Sequence, residues 1–480
     1  MNNVILNKKI MNYCPFPLTS GQEEAIKLLS TFVTGNEPRQ VFLLKGYAGT
    51  GKTTLIGALV KALRSQNGRV VLMAPTGRAA KVFSSYSECQ ASTIHRKIYR
   101  QKSILDSSSF QLDRNRDENT LFLVDEASMI SNEGLAGTMF GTGRLLDDLV
   151  SYVYSGKNCR LLLTGDQAQL PPVGEEESPA LSASVISSYG LNVSEYCLDK
   201  VMRQEHESGI LFNATLLRRE IDSQKITNVT TAFRFRLKGF KDIVRTGGEE
   251  LIEALESCYS RDGIDQTLVL CRSNKTAIMY NNAIRNTILG REDKLCGGES
   301  LMIVKNNYFW TGQMARDKDL GTMTEFPSFI ANGDIAQVRR VRRHRELYGF
   351  NFVDALLSFP DYDDFELEAT LLSDTLHSES PSITKKDSER LFHNVMEDYE
   401  EIPSKREKME KLRENPYFNA LQIKYAYAVT CHKAQGGQWK NVFIDRGYLP
   451  ADGRDENYYR WLYTALTRAT EKVFLINWPE

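Results

Sequence analysis

The chain has 480 residues, 41% of them hydrophobic and 25% charged, with a formal net charge of −1. That length exceeds one ordinary core, so two or more globular domains are expected. No long uncharged apolar run exists to span a membrane, and the N-terminus MNNVILNKKIMNYCPF lacks the basic-then-apolar layout of a signal peptide. Eight scattered cysteines without a C-x-x-C pair argue against a zinc site or a disulfide framework, and fit free thiols in the cytoplasm. The charge balance lacks the basic excess common in nucleic-acid proteins, although a cleft can be locally positive beneath an acidic exterior.

In chain order, VFLLK (41–45) predicts a buried strand and KTTLIGALVKALRSQ a helix. RVVLMA (69–74) is a strand followed by the helical TGRAAKVFSSY, and TLFLVDEAS (120–128) and CRLLLTGDQ (159–167) are strands ending in carboxylates. Short apolar strands alternating with helices predict a parallel sheet covered on both faces, with ligands at the strands' carboxyl ends. A second α/β run starts near 196 and contains the strand QTLVLC and the helix NKTAIMYNNAIRN. Residues 295–420 lose this alternation and predict an insertion, a small β unit followed by charged helices. Alternation returns with LQIKYAYAVT, NVFID and KVFLIN. The basic run VRRVRRHRE (338–346) reads as the solvated face of a strand rather than a phosphate contact.

Between a strand and a helix lies Gly46-x-x-x-x-Gly51-Lys52-Thr53. In such a loop the backbone N–H groups of Gly46, Ala48, Gly49, Thr50 and Gly51 approach phosphates, at the positive end of the helix that continues through Thr54. Lys52 reaches the β- and γ-phosphates and the Thr53 hydroxyl ligates Mg²⁺, so ATP and Mg²⁺ are the expected cofactors. Asp125 ends an apolar strand as a second Mg²⁺ residue, and Glu126 is placed to orient and deprotonate an attacking water. A hydrolytic glutamate argues against a small-molecule kinase, whose site must exclude water. Gln169, in LLLTGDQAQLPPV, has two readings: a hydrogen bond to the γ-phosphate, or a turn stiffened by Pro171 and Pro172.

Taken together and in order, GQEEAI, GYAGTGKTT, APTGRAAK, STIHR, VDEAS, GDQAQLPPV, VMRQ, VTCHKAQGGQW and YTALTRA resemble the motifs of superfamily 1B helicases, the RecD- and Dda-like branch, across residues 19–476. The resemblance implies an α/β fold of two RecA-like parallel-sheet motor domains, with a small pin insertion and a β-barrel-containing insertion. The corresponding division is 1–195 for the first motor, with 97–119 as pin; 196–294 with 421–480 for the second; and 295–420 for the barrel insertion. It implies adenine recognition by Gln22 and two arginines, Arg203 and Arg468, offered to the γ-phosphate from the second motor. It places DNA contacts at Pro75, Thr76, Thr93 and His95 on the first motor and at Thr430, His432 and Lys433 on the second. Phe110 is the pin's candidate for stacking on a base.

The implied activity is ATP-dependent unwinding by a stand-alone motor moving 5′ to 3′ on single-stranded DNA and acting at single-strand/duplex junctions. A monomer suffices, because one chain supplies both halves of the ATP site. The alternatives are an RNA-directed helicase and a nuclease-associated ATPase, for which Glu292-x-Lys294 is a fragmentary signature. One departure from the family pattern stands out: Gly437-Gln438-Trp439 occupies the place where the motif after HKAQG usually carries an acidic residue.

Overall fold

A computed structural model of the protein describes residues 2–103, 106–134, 140–200, 208–227, 233–316, 329–447 and 455–479. Two parallel sheets and a closed barrel organise it. The first sheet has six strands in the order Ala91–Thr93, Arg69–Ala74, Thr120–Val124, Arg160–Gly165, Gln40–Gly46 and Asn192–Leu198. Its central strands are hydrophobic at successive positions because both faces are covered. Val41, Leu43, Leu161 and Leu163 point into one core, whereas Phe42, Leu44 and Leu162 point into the other. That alternation is the period-2 geometry of a strand read from two sides. The N-terminal segment, for which the sequence reading assigned no element, forms the helix Asn3–Tyr13 and buries Leu6 and Ile10 in the second of these cores.

The second sheet has the order Ala428–Thr430, Thr267–Cys271, Trp439–Asp445, Ala469–Ile476 and Ile243–Thr246, again parallel throughout. The barrel is built from Ser300–Ile303, Ile335–Leu347, Phe350–Phe359, Phe365–Leu372 and Leu421–Tyr425. Here one expectation is corrected. The stretch LQIKYAYAVT was read as a return to the motor alternation, but Leu421–Tyr425 closes the barrel against Ser300–Ile303 and only Ala428–Thr430 joins the second sheet. The barrel interior, including Leu301, Val353, Leu371 and Ile423, is continuous with one face of that sheet through Val269 and Phe443.

At this junction Glu299 is fully buried. It accepts ion pairs from Arg285 at 2.8 Å and Arg291 at 2.9 Å, and the Tyr427 hydroxyl donates to it at 2.6 Å. The basic run 338–346 lies mostly on the outer face of the barrel, where Arg342 pairs with Glu368 and Arg345 with Asp354.

Residues Tyr99–Ser103 and Asp106–Leu112 form an antiparallel hairpin in the segment 97–119. Phe110 is 7% exposed, and its ring packs 4.5 Å from Tyr308 and 5.0 Å from Phe140. The expectation of an exposed stacking residue is therefore corrected: Phe110 anchors the hairpin to the segment that opens the barrel insertion. An aromatic side chain in such a cluster contributes through area and ring geometry together. Phe110→Ala is expected to lower stability by about 3 kcal/mol, measured as a shift in the denaturant midpoint.

Candidate nucleotide cleft and strand-facing surface

The loop after Gln40–Gly46 turns at Gly49 and Gly51, which have φ of +77° and +80°. Side chains seldom adopt this backbone, and it aims successive N–H groups at one point. The helix Lys52–Arg64 starts there, and the Lys52 ammonium folds back to donate to the Gly46 carbonyl at 2.9 Å. Gln22 sits at the start of Ser20–Thr34, where its Oε1 accepts from the Thr19 N–H and its Nε2 donates to the Thr50 carbonyl at 2.9 Å. The same amide thus closes a capping box and braces the phosphate loop.

A cleft of about 410 Å³ is lined by Gln22, Ala48, Gly49, Gly51, Lys52, Thr53 and Thr54 on one side and by Gln438 and Arg468 on the other, with Asp125, Glu126 and Gln169 between them. Asp125 accepts from the Glu126 N–H at 2.9 Å and from the Tyr86 hydroxyl. Burial, followed by the adjacent Glu126 charge, pushes its carboxyl up to about 6, while Lys52 opposes the shift. Glu126 itself has a φ of +53°, a left-handed conformation uncommon for a side-chain-bearing residue. Strained backbone of this kind clusters at functional sites. Gln169 is 6% exposed and its Oε1 has no hydrogen-bond partner, which leaves one end of a buried amide for a ligand.

Sequence reasoning missed how the cleft is closed. Tyr463, on the helix Glu456–Leu466, donates to Asp166 at 2.6 Å and accepts from the Ala48 N–H at 2.9 Å. Leu170 donates its N–H to Thr464 at 2.8 Å, and its carbonyl accepts from Gln435 at 2.8 Å. The loop GDQAQL of the first sheet is thus held on the second sheet's helix. Phe16, 69% exposed, also lines the cleft beside Pro17 and Leu18. Its only sequence signal was an aromatic just ahead of the GQEEAI motif.

Arg468 is 3% exposed, and its guanidinium donates to the carbonyls of Thr464 and Gly437, both at 3.2 Å. Among the described residues no carboxylate pairs with it. Arg203 lies outside the described residues.

The candidate strand contacts fall at strand ends and helix starts. Ala74 and Thr93 are in register on neighbouring strands. Thr76, next to Pro75, caps Gly77–Ser87, and Thr93 caps Ile94–Ile98; each hydroxyl oxygen accepts a backbone N–H at 3.2 Å. Capping uses the oxygen as acceptor and leaves the O–H proton for another partner. From the other sheet, Thr430 ends its strand, His432 is exposed, and burial brings the Lys433 ammonium down to about 8. The following turn reaches Thr76: a Cβ on Gly436 would lie 3.1 Å from its Oγ1. His95 differs from expectation. Its ring packs 4.8 Å from Phe140 and 5.6 Å from Tyr99, and burial brings it down to about 4, so it is neutral at pH 7 and brings no charge to a phosphate.

Residues 17–235 match the family model of an AAA domain, and residues 425–476 that of the UvrD-like helicase C-terminal domain. The ATP-dependent DNA helicase dda of Enterobacteria phage T4 is 24% identical over 60% of this chain and 61% of its own length.

Both matched segments are consistent with helicase superfamily 1B, the branch whose motif order the sequence resembles.

An uncharacterized protein of Acanthamoeba polyphaga mimivirus is similar over nearly the full length, at 24% identity across 95% of this chain and 98% of that one. The crystal structure of Pif1 helicase from Candida albicans covers 97% of this chain and 95% of its own at 15% identity and a TM-score of 0.46. The Gly46–Thr53 loop lies inside the segment that matches the AAA domain model.

Proposed function

We propose that the protein is an ATP-dependent DNA helicase that translocates 5′ to 3′ on single-stranded DNA and opens duplexes at single-strand/duplex junctions, working as a monomer with one motor at 1–198, so that Asn192–Leu198 stays with its sheet, the second at 199–294 and 426–480, and the barrel insertion, closed by Leu421–Tyr425, between. The observation that carries this reading is a single cleft bounded by the Lys52 loop and the Asp125–Glu126 pair on the first sheet and by Arg468 on the second. Hydrolysis in such a cleft is tied to the relative position of two sheets. The direction of travel rests on resemblance to the RecD- and Dda-like branch.

The donor set fits Mg²⁺, which binds through one or two protein oxygens plus substrate phosphates rather than an all-protein cage. Here those oxygens are Asp125, whose buried carboxylate gains from a cation, and the Thr53 hydroxyl. The ion would neutralise charge on the β- and γ-phosphates. Lys52 is placed to leave the Gly46 carbonyl for the γ-phosphate. Glu126 accepts the proton of the attacking water, and Gln169 donates from its Nε2 to the departing phosphate, while its unpaired Oε1 is left to accept from the water. Arg468 offers charge that is not already neutralised by a carboxylate among the described residues. Thr76, Thr93, Thr430 and Lys433 hold the strand through its phosphates, which makes binding tolerant of sequence and sensitive to salt.

The test is unwinding of two partial duplexes, one with a 5′ and one with a 3′ single-stranded tail, with ATP and Mg²⁺. Opening of the 5′-tailed substrate alone, abolished in Lys52→Ala, is expected. Opening of the 3′-tailed substrate alone would reverse the assigned direction, and unwinding that survives Lys52→Ala would refute the ATP-driven mechanism.

A further inference from the structure

The Gly437-Gln438-Trp439 departure has a structural counterpart on the opposite sheet. Arg78 lies in the first turn of Gly77–Ser87, two residues past the cap Thr76. Its guanidinium stacks over the Trp439 ring at 4.1 Å, and its Nη2 donates to the Gln438 carbonyl at 3.2 Å. Trp439 is 6% exposed and begins a strand of the second sheet. Gly437 makes the arrangement possible: a Cβ there would lie 2.4 Å from the indole and 3.0 Å from the Arg78 Cδ. The indole therefore folds back over a residue without a side chain and is covered by the arginine of the other motor.

The same short turn holds Arg468. The Gly437 carbonyl accepts from Arg468 at 3.2 Å, the Trp439 N–H donates to the Arg468 carbonyl at 2.9 Å, and Gln438 lines the nucleotide cleft. A continuous set of contacts therefore runs from the capped start of Gly77–Ser87 through Arg78 and Trp439 to Arg468. The ends belong to different sheets, so the stacked pair forms only when the two motors approach. A contact made in one of two motor arrangements is the element that two ligands can bias together.

We propose that Arg78 is a positioning residue that couples strand engagement at Thr76 to the seating of Arg468 in the nucleotide cleft, through its stacking on Trp439 and its bond to Gln438. The proposal rests on the function assigned above. Lysine cannot replace this arginine, because it has no planar face to stack and no second nitrogen to reach the carbonyl while stacked.

The test uses the full chain with Arg78→Ala, Trp439→Leu, the double substitution and the conservative Trp439→Phe. ATP turnover is read with and without oligo(dT). Affinity for fluorescent oligo(dT) is read by anisotropy, with and without a non-hydrolysable ATP analogue. Basal turnover and nucleotide-free affinity are expected to stay within about twofold, while stimulation by oligo(dT) and the nucleotide-induced change in affinity each fall about fivefold or more. The double variant should be no worse than either single one, as for two members of one contact. Trp439→Phe should retain most of the coupling, since a ring face remains.

Stimulation and affinity change at wild-type levels in both single variants would overturn the coupling role. So would a proportional fall in basal and stimulated turnover that Trp439→Phe does not relieve, which marks a merely structural contact. A wild-type protein whose turnover ignores oligo(dT) would overturn the assigned function itself, and this inference with it.

Discussion

Arg468→Ala is expected to lower DNA-stimulated ATP turnover by about 10³-fold or more, the range over which an arginine supplied to a transferring phosphoryl group acts in other nucleotidases. Nucleotide binding should weaken far less, because Lys52 and the Gly46–Thr53 loop lie on the other side of the cleft. The fall should therefore appear in kcat, as it does when a contact is made chiefly in the transition state. Arg468→Lys should recover little, since one ammonium cannot bond both the Thr464 and Gly437 carbonyls and still present charge to the cleft. A variant with near-normal kcat and a raised KM would show that Arg468 only helps to hold the ground-state nucleotide. Thermal unfolding of the same variant separates the chemical effect from loss of a buried helix-end bond.

Glu299→Ala is expected to destabilise the protein by about 3–5 kcal/mol, because it strands two guanidinium groups that were paired in a dry site. Arg285 is 4% exposed at its side chain, and Glu299 is the carboxylate it shares with Arg291. The loss should be read from denaturant unfolding and should be greatest for the transition that includes the barrel, since Tyr427 and Ser300 meet at the same point. Glu299→Gln keeps hydrogen bonding but removes the charge, and should fall between wild type and alanine. An alanine variant as stable as wild type would mean that water reaches the two arginines and that the junction is not dry.

The nucleotide side of the site was legible in the sequence because its chemistry is local. The spacing from Gly46 to Thr53 sets both the loop and the helix start, and Asp125 and Glu126 are sequence neighbours at a strand end. The aromatic cluster was not legible in the same way. Phe110, Phe140, Tyr308 and Phe329 are far apart in the chain, and none carries a periodic signal that pairs it with the others. His95 was named from its motif, yet its surroundings are set by that cluster, so its neutrality followed only from burial. Thr76 and Thr93 show the two kinds of information combined: the motifs single out each residue, and the structure makes each a helix cap at the ends of adjacent strands.

By itself the sequence left out the edge strands Ala91–Thr93 and Asn192–Leu198 but determined the four central strands of the first sheet, the helices that follow two of them, the phosphate loop and the existence of an insertion. Each of these depends on residues within a few positions of one another, through hydrophobic period, backbone freedom at glycine or helix capping. Tertiary structure decided which strands became partners. Leu421–Tyr425 is buried along its whole length and suits either a parallel sheet or a barrel; only the edge of Ser300–Ile303 beside it selects the barrel. It also decided what faces what across the cleft: Tyr463 on Asp166, Thr464 on Leu170, and Arg78 on Trp439. Those contacts join residues hundreds of positions apart, and no local propensity encodes them. They form because both sheets present their strand ends to one cleft, which leaves polar groups on each side needing a partner from the other.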